Sequence, residues 1–398
     1  MKKIFSLIVF YGLLALCQLF AIPVKKSVVG FGITPVQNPV AFDKKGLHTD
    51  SETEFGGAYL WADIVQGNDY VTAAGKIYYR FNSVAEGQDA SQKLDLKRAY
   101  VKVRPCGNDF FEIAAGKLYS YHLPGGYFNL AEIYTGNNRW GKTGLGTKFE
   151  FAGFTTGLAL PIESYFKPGS IVRETGSISE SYAPFSERFS LAGALNYNFA
   201  KLKESLPLTA GFSAAQDFVK DDFSFSLSAQ FSPKTTGFIS KAKFFASYSY
   251  NSEPYVASTV FKKIANYAKV DLKKAHFASI NMTLNLGNVE FITEGEAGHS
   301  MEGNYIPLYS GSQLLIPIID HLAFKPRFYY YAALNESDSD LSRQTFEFFP
   351  RLWLTFGKCT VSAGTSIFLM QAGTSSKDEK LSDWYWGYEV PLYATWKF

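Results

Sequence analysis

Charge and cysteine are both scarce in this chain, and beyond its first residues it has no long apolar run. Only 19% of its 398 residues are Asp, Glu, Lys or Arg, below the quarter or so usual in soluble domains. The 39 basic and 36 acidic residues nearly cancel, which excludes the basic surface a nucleic-acid binder needs. The three cysteines, Cys17, Cys106 and Cys359, are too few and too scattered for a zinc ribbon, a haem-attachment motif or a disulfide framework. The five histidines, His48, His122, His276, His299 and His321, are dispersed, and no HExxH, GxSxG or CxxC occurs. The chain therefore reads as a non-enzyme with no cofactor or metal. No apolar stretch of about 18 residues follows the N-terminal segment, which excludes a transmembrane helix. Aromatic residues, by contrast, reach 17%, with 36 Phe, 25 Tyr and 33 Gly beside them. That is the composition of sheet rather than helix, and 46% apolar residues exclude disorder.

The N-terminal segment has the order of a signal peptide. Lys2 and Lys3 supply the positive start, Ile4 to Leu16 the apolar stretch, and Ala21 a small residue for cleavage. Cys17 gives the outline of a lipoprotein signal, but the bulky Leu16 before it does not fit. The expected division is residues 1–21 as signal and 22–398 as a single domain.

Period-two alternation then runs along nearly the whole chain. Phe223, Phe225, Leu227, Ala229 and Phe231 interleave with Ser224, Ser226, Ser228 and Gln230. Ala278, Ile280, Met282, Leu284 and Leu286 interleave with Ser279, Asn281, Thr283 and Asn285. Alternation alone fits a sandwich or a membrane barrel, and three features choose between them. The apolar stretches are about 9 to 14 residues long, the length of tilted membrane strands rather than sandwich strands. Short connections such as Ala152-Gly153, Gly287-Asn288, Asp320-His321 and Gly357-Lys358 alternate with long polar ones such as Tyr119 to Trp140 and Asn251 to Lys274. Finally, the chain ends in an apolar row of Val390, Leu392, Ala394, Trp396 and Phe398.

The expected fold is all-β, a transmembrane antiparallel up-and-down barrel with short periplasmic turns and longer external loops. Counting connections predicts about 18 strands, or 16 if the faintest fail. The faintest are the first (Lys26 to Thr34), the ninth (Leu206 to Gln216) and the fourteenth (Leu314 to Ile319). Pro317, Pro326, Pro350 and Pro391 fall inside expected strands, where each removes a ladder donor. A barrel this wide leaves an aqueous channel unless something fills it, and few residues precede the first well-marked strand at Phe55. A diffusion channel follows.

The terminal row (Leu392, Ala394, Trp396, Phe398) resembles the last-strand signal of bacterial outer-membrane barrels. That resemblance implies recognition by the barrel-assembly machinery. Leu96 to Pro105 and Phe110 to Tyr119 resemble strands four and five of the Gram-negative outer-membrane porin family, over about 80 residues with the loop that follows. In that family the third external loop folds into the pore. Here it is residues 119–140, with Pro124, Gly125 and Gly126 for a sharp turn and Glu132 and Arg139 as charges. The family's acidic Pro-Glu-Phe-Gly-Gly motif is only partly matched by Leu123-Pro124-Gly125-Gly126. The porin resemblance also implies a homotrimer in the outer membrane of a diderm bacterium, passing small hydrophilic solutes.

Strand parity points Lys76, Arg80, Arg98, Lys102 and Arg104 inward on strands three and four, and Glu290, Glu294 and Glu296 inward on strand 13. Half a barrel apart, these rows would set up a transverse field across the lumen. Local neutralisation is the competing expectation, since Glu112 and Glu150 also point inward. Two other functions fit such a barrel. Asn38-Pro39-Val40 resembles the hatch element of fatty-acid-type channels, although the interior rows are polar. A surface adhesin would use loops such as Asn251 to Lys274. The one loose catalytic or metal constellation is His299 with Glu294 and Glu296.

Overall fold

The computed structural model describes residues 23–38, 40–43, 46–49, 57–81, 92–108, 110–117, 143–161, 190–218, 222–252, 273–302, 304–337, 342–371 and 384–398. The expected signal segment and the 119–140 loop, with Pro124, Gly125, Gly126, Glu132 and Arg139, lie outside them.

The described chain is strand almost throughout, and its strands close into one antiparallel barrel of 18. The first seven are β1 (Val24–Asn38), β2 (Gly57–Gly67), β3 (Val71–Phe81), β4 (Gln92–Val103), β5 (Phe111–Lys117), β6 (Thr143–Phe151) and β7 (Phe154–Pro161). The next seven are β8 (Ser190–Asn198), β9 (Leu208–Asp217), β10 (Asp222–Phe231), β11 (Ile239–Asn251), β12 (Lys273–Leu286), β13 (Val289–Glu302) and β14 (Tyr305–Ile319). Three strands are each interrupted once: β15 (Leu322–Phe324 and Arg327–Asn335), β16 (Arg343–Phe349 and Arg351–Phe356) and β17 (Cys359–Gly364 and Ser366–Gln371). The last is β18 (Trp384–Lys397). Each strand pairs with its sequence neighbour, and β1 closes on β18 with Val28 opposite Lys397 and Asn38 opposite Tyr388. Phe398 N–H donates to Ser27 O at 2.9 Å, completing the closure. A small hairpin, Val40–Asp43 with Gly46–Thr49, follows β1. The three faintest expected strands are all present.

Turn chemistry explains one rim. At Ala152-Gly153 both residues take positive φ (49° and 90°), the conformation that matches a two-residue turn to strand twist. Gly287 supplies it in the β12–β13 turn (58°) and Gly357 in the β16–β17 turn (54°). At the β2–β3 turn the Asn68 side chain accepts from the N–H groups of Tyr70 and Val71 at 2.9 and 2.8 Å. Cys106 lies in the turn after β4, and Cys359 opens β17.

Three of the four prolines have a common explanation. The β15–β16 register pairs Arg327 with Phe349 and Phe324 with Leu352, so Pro326 falls directly opposite Pro350. On β16–β17, Arg351 pairs with Gly364 and Phe348 with Ile367, which sets Pro350 opposite Thr365. One strand further, Pro391 lies opposite Gly364, and a register shift in β1 between Ile33 and Val36 meets it from the other side. The interruptions therefore form a seam at one level across β15, β16, β17, β18 and β1. Pro326 and Pro350 keep their acceptors in use: Leu314 donates to Pro326 O at 3.1 Å, and Thr365 to Pro350 O at 3.3 Å. Only the missing N–H is lost from the ladder. Pro317 lies beside a separate irregularity near the β14–β15 turn.

Candidate functional site

The two faces of the wall differ in chemistry because residues alternate between them along each strand, the parity changing only at a register shift such as that in β4 beside Lys76. Leu60, Leu227 and Ile280 are 47%, 51% and 66% exposed on the outer face. Ser226 and Asn281, next in sequence to Leu227 and Ile280, are buried on the inner face, as is Glu294 opposite Asn281. Ser247 and Ser279 bond across β11 and β12 at 3.0 Å on the inner face. An apolar exterior and a hydrogen-bonding interior are what a closed sheet needs when lipid surrounds it.

The expected basic row on β3 and β4 is partnered. Glu112 on β5 is buried with one carboxylate oxygen 3.0 Å from Lys102 Nζ and the other 2.9 Å from Arg104 Nε. Next to it, Lys148 and Glu150 pair along β6. Lys76 lies opposite Asp63, and Asp63 bonds Lys26 at 2.9 Å. Arg98 stands opposite Lys76 and Arg80 opposite Tyr59 in the register, but the side chains of both lie outside the described residues.

On β13, Glu290, Glu294 and Glu296 share the inner face. Glu294 and Glu296 are buried, and Tyr309 donates to Glu294 at 2.7 Å. The other oxygen of Glu294 has no hydrogen-bond partner among the described residues. His299 does not join them. Alternation sends it to the outer face, where it lies 3.2 Å from Glu336, opposite His276. The His299–Glu294–Glu296 constellation is therefore broken by strand parity, and the described residues hold no group of three metal-ligating side chains.

Two groupings go beyond the sequence reading, in which Lys325 and Arg327 count only as charges that lessen the contrast across the pore. One is a cationic group on the seam. Lys325 and Arg351 are both buried, and the Arg351 guanidinium lies over Phe349 (4.6 Å) and Trp353 (5.4 Å). Its Nε and one terminal nitrogen have no hydrogen-bond partner among the described residues. Arg327 donates to Gln313 at 2.5 Å, and Ser366 to Glu347 at 2.7 Å. The prolines flanking these cations were the available signal.

The other feature is a run of inward aromatic rings: Tyr393 on β18, Tyr59 and Trp61 on β2, and Tyr78 on β3. Centroids are 6.2 Å apart for Tyr59 and Tyr393, 5.9 Å for Tyr59 and Tyr78, and 6.2 Å for Trp61 and Tyr78. Lys76 Nζ reaches 5.0 Å from the Trp61 ring and 5.2 Å from that of Tyr78. Behind the rings are Gly30 and Gly32 of β1, paired with Trp61 and Tyr59. A Cβ on Gly30 would overlap the indole, and one on Gly32 would come within 2.5 Å of the phenol ring. The alternate glycines of β1 were the sequence signal for this packing.

The residues of the expected terminal signal lie on the outside. Leu392, Trp396 and Phe398 are exposed, Ala394 is half-buried, and the Trp396 and Phe398 rings are 6.4 Å apart.

Together, closure, apolar exterior and polar interior define a transmembrane β-barrel of the outer-membrane type. The comparisons with solved structures agree on the fold. The chain is similar to the outer membrane protein OpdK of Pseudomonas aeruginosa, with TM-score 0.54 and 10% identity, over 94% of this chain and 98% of that one. OccAB4 of Acinetobacter baumannii gives TM-score 0.56 and 11% identity over 94% and 97%. OprD of Pseudomonas aeruginosa gives 0.51 and 10% over 94% and 95%. No family model and no curated protein matches the sequence.

Proposed function

We propose that the protein is a porin: a passive channel in the outer membrane of a diderm bacterium that conducts ions and small hydrophilic solutes. The observation that carries this reading is the polar inner face of an 18-stranded barrel, because a barrel of that width holds water where its side chains do not fill it. Lys76, Lys102, Arg104, Arg80 and Arg98 then contribute the basic side of the lumen, and Glu290, Glu294 and Glu296 the acidic side. One solved neighbour is OpdK with vanillate. In the present chain the Arg351 guanidinium is the group suited to a carboxylate, so small carboxylates belong among the permeant solutes. The partners of this reading are the lipid bilayer, the barrel-assembly machinery that reads the terminal strand, and two further copies in a homotrimer. In this reading the 119–140 segment, which lies outside the described residues, is the candidate constriction.

Planar-bilayer recording tests the channel. Refolded protein is expected to insert in discrete steps of ohmic ion current. A folded barrel that inserts but carries no current overturns the porin reading in favour of a fatty-acid-type or adhesin barrel.

A further inference from the structure

We propose that Tyr393, Tyr59, Trp61 and Tyr78 form a stacking subsite for a sugar ring on the inner wall of the barrel. The proposal rests on the channel reading above and adds a ligand class to it.

Alternation sets the direction of the rings. Leu60 and Leu392 are exposed on the outer face, so Tyr59, Trp61 and Tyr393, one position away, face inward. The glycines set their posture. With no side chain at Gly30 or Gly32, the rings of Trp61 and Tyr59 settle against the backbone of β1. One face of each ring therefore meets the wall, and the opposite face is turned toward the interior. All four rings are half-exposed. Trp61 and Tyr78 lie within 23° of parallel, so the two rings tile rather than cross.

A tile of this kind suits a particular chemistry. The axial C–H bonds of a pyranose carry slight positive charge and match the negative face of an aromatic ring. The same sugar has hydroxyls around its edge, each needing both a donor and an acceptor. A donor stands beside the tile in the Lys76 ammonium, 5.0 Å from Trp61, and the Tyr59 and Tyr78 hydroxyls of the tile itself can both donate and accept. The Asp63 carboxylate, two residues along β2, is buried and bonded to Lys26. An aromatic carboxylate needs donors alone, and a buried cluster of those lies at Lys325 and Arg351, with Arg351 opposite Gly364 and Gly364 opposite Pro391, two residues from Tyr393. The tile adjoins the cationic seam at Tyr393 and extends away from it across β2 and β3 to Lys76.

The test is single-channel recording with maltotriose as probe. Maltotriose is expected to interrupt the current in discrete blocks, whereas sorbitol, with hydroxyls but no ring face, is not. Trp61→Ala and Tyr59→Ala should each weaken maltotriose binding at least tenfold, and Trp61→Phe should keep most of it. Block of equal strength in Trp61→Ala, or no block while ions pass freely, overturns the subsite and leaves the channel standing. Block by benzoate at matched strength, lost in Trp61→Ala, replaces the sugar with an aromatic acid and overturns the ligand class. A silent bilayer bears on the channel alone. Quenching of tryptophan fluorescence by maltotriose in the detergent-solubilised barrel, compared with Trp61→Phe, then decides the subsite. A difference between the two proteins supports it, and identical curves overturn it.

Discussion

Lys325 and Arg351 exchange both of their backbone hydrogen bonds, Lys325 N–H to Arg351 O at 2.7 Å and Arg351 N–H to Lys325 O at 3.2 Å. They form a hydrogen-bonded cross-strand pair whose two cationic side chains leave the sheet on the same face. Like charges placed this way cost about 0.2 to 1 kcal/mol, and both are buried. Arg351→Gln removes one of them. The expected result is a shift toward cations, about two- to fivefold in permeability ratio on the scale of one lumen charge. Reversal potential in a salt gradient reads it, and an unchanged value would remove Arg351 from the conduction path.

Glu112 is shared by Lys102 and Arg104. Its loss in Glu112→Gln leaves two neighbouring cations without their common carboxylate, so the same measurement should move toward anions. Breaking a partly buried ion network also costs about 3 to 5 kcal/mol at the upper end. A lower unfolding midpoint in urea is expected alongside the selectivity change.

Gly32→Ala puts a methyl where the Tyr59 ring lies. Overpacking of this kind costs about 1 to 3 kcal/mol. The variant is expected to unfold at lower denaturant, and Gly32→Ala combined with Tyr59→Ala should recover part of the loss. Absence of any recovery would separate the glycine from the ring.

The seam predicts a local difference in protection. Amides of β15 to β17 beside Pro326, Pro350 and Thr365 border missing ladder donors. Those of β12 and β13 share a register without interruption from Lys273–Glu302 to Leu286–Val289, apart from Lys274. Hydrogen exchange in detergent should be faster at the former. Equal rates would mean that the retained carbonyl bonds suffice to hold the seam closed.

Deletion of Phe398 removes one closing hydrogen bond, to Ser27, and an exposed aromatic of the last strand. If the assembly machinery reads this residue, the variant should accumulate poorly in the outer membrane of an expressing cell. Refolding into detergent should be nearly normal, since one hydrogen bond is worth about 1 kcal/mol. Equal defects in both settings would make the role purely structural.

Much of the architecture was legible because alternation and turn residues are local signals. Ala152-Gly153 and Gly287-Asn288 mark hairpin turns by residue type, and Ser226 beside Leu227 marks the two faces. Pairing across strands was not legible in the same way. That Glu112 meets both Lys102 and Arg104, or that Pro326 stands opposite Pro350, depends on register, which sequence spacing constrains only through the turns. The Trp61 packing illustrates the boundary. Gly30 and Gly32 announce a close approach, but only the β1–β2 register says what approaches.

The β12–β13 hairpin has one further implication. Its two strands are nearly equal in length, joined by Gly287-Asn288, and matched residue for residue over most of their span. Such a unit is modular: duplicating it in tandem would preserve the up-and-down order and add two staves to the cask. The seam that begins two strands further on, at β15, with donors already absent at one height, is where the added circumference would most easily be absorbed.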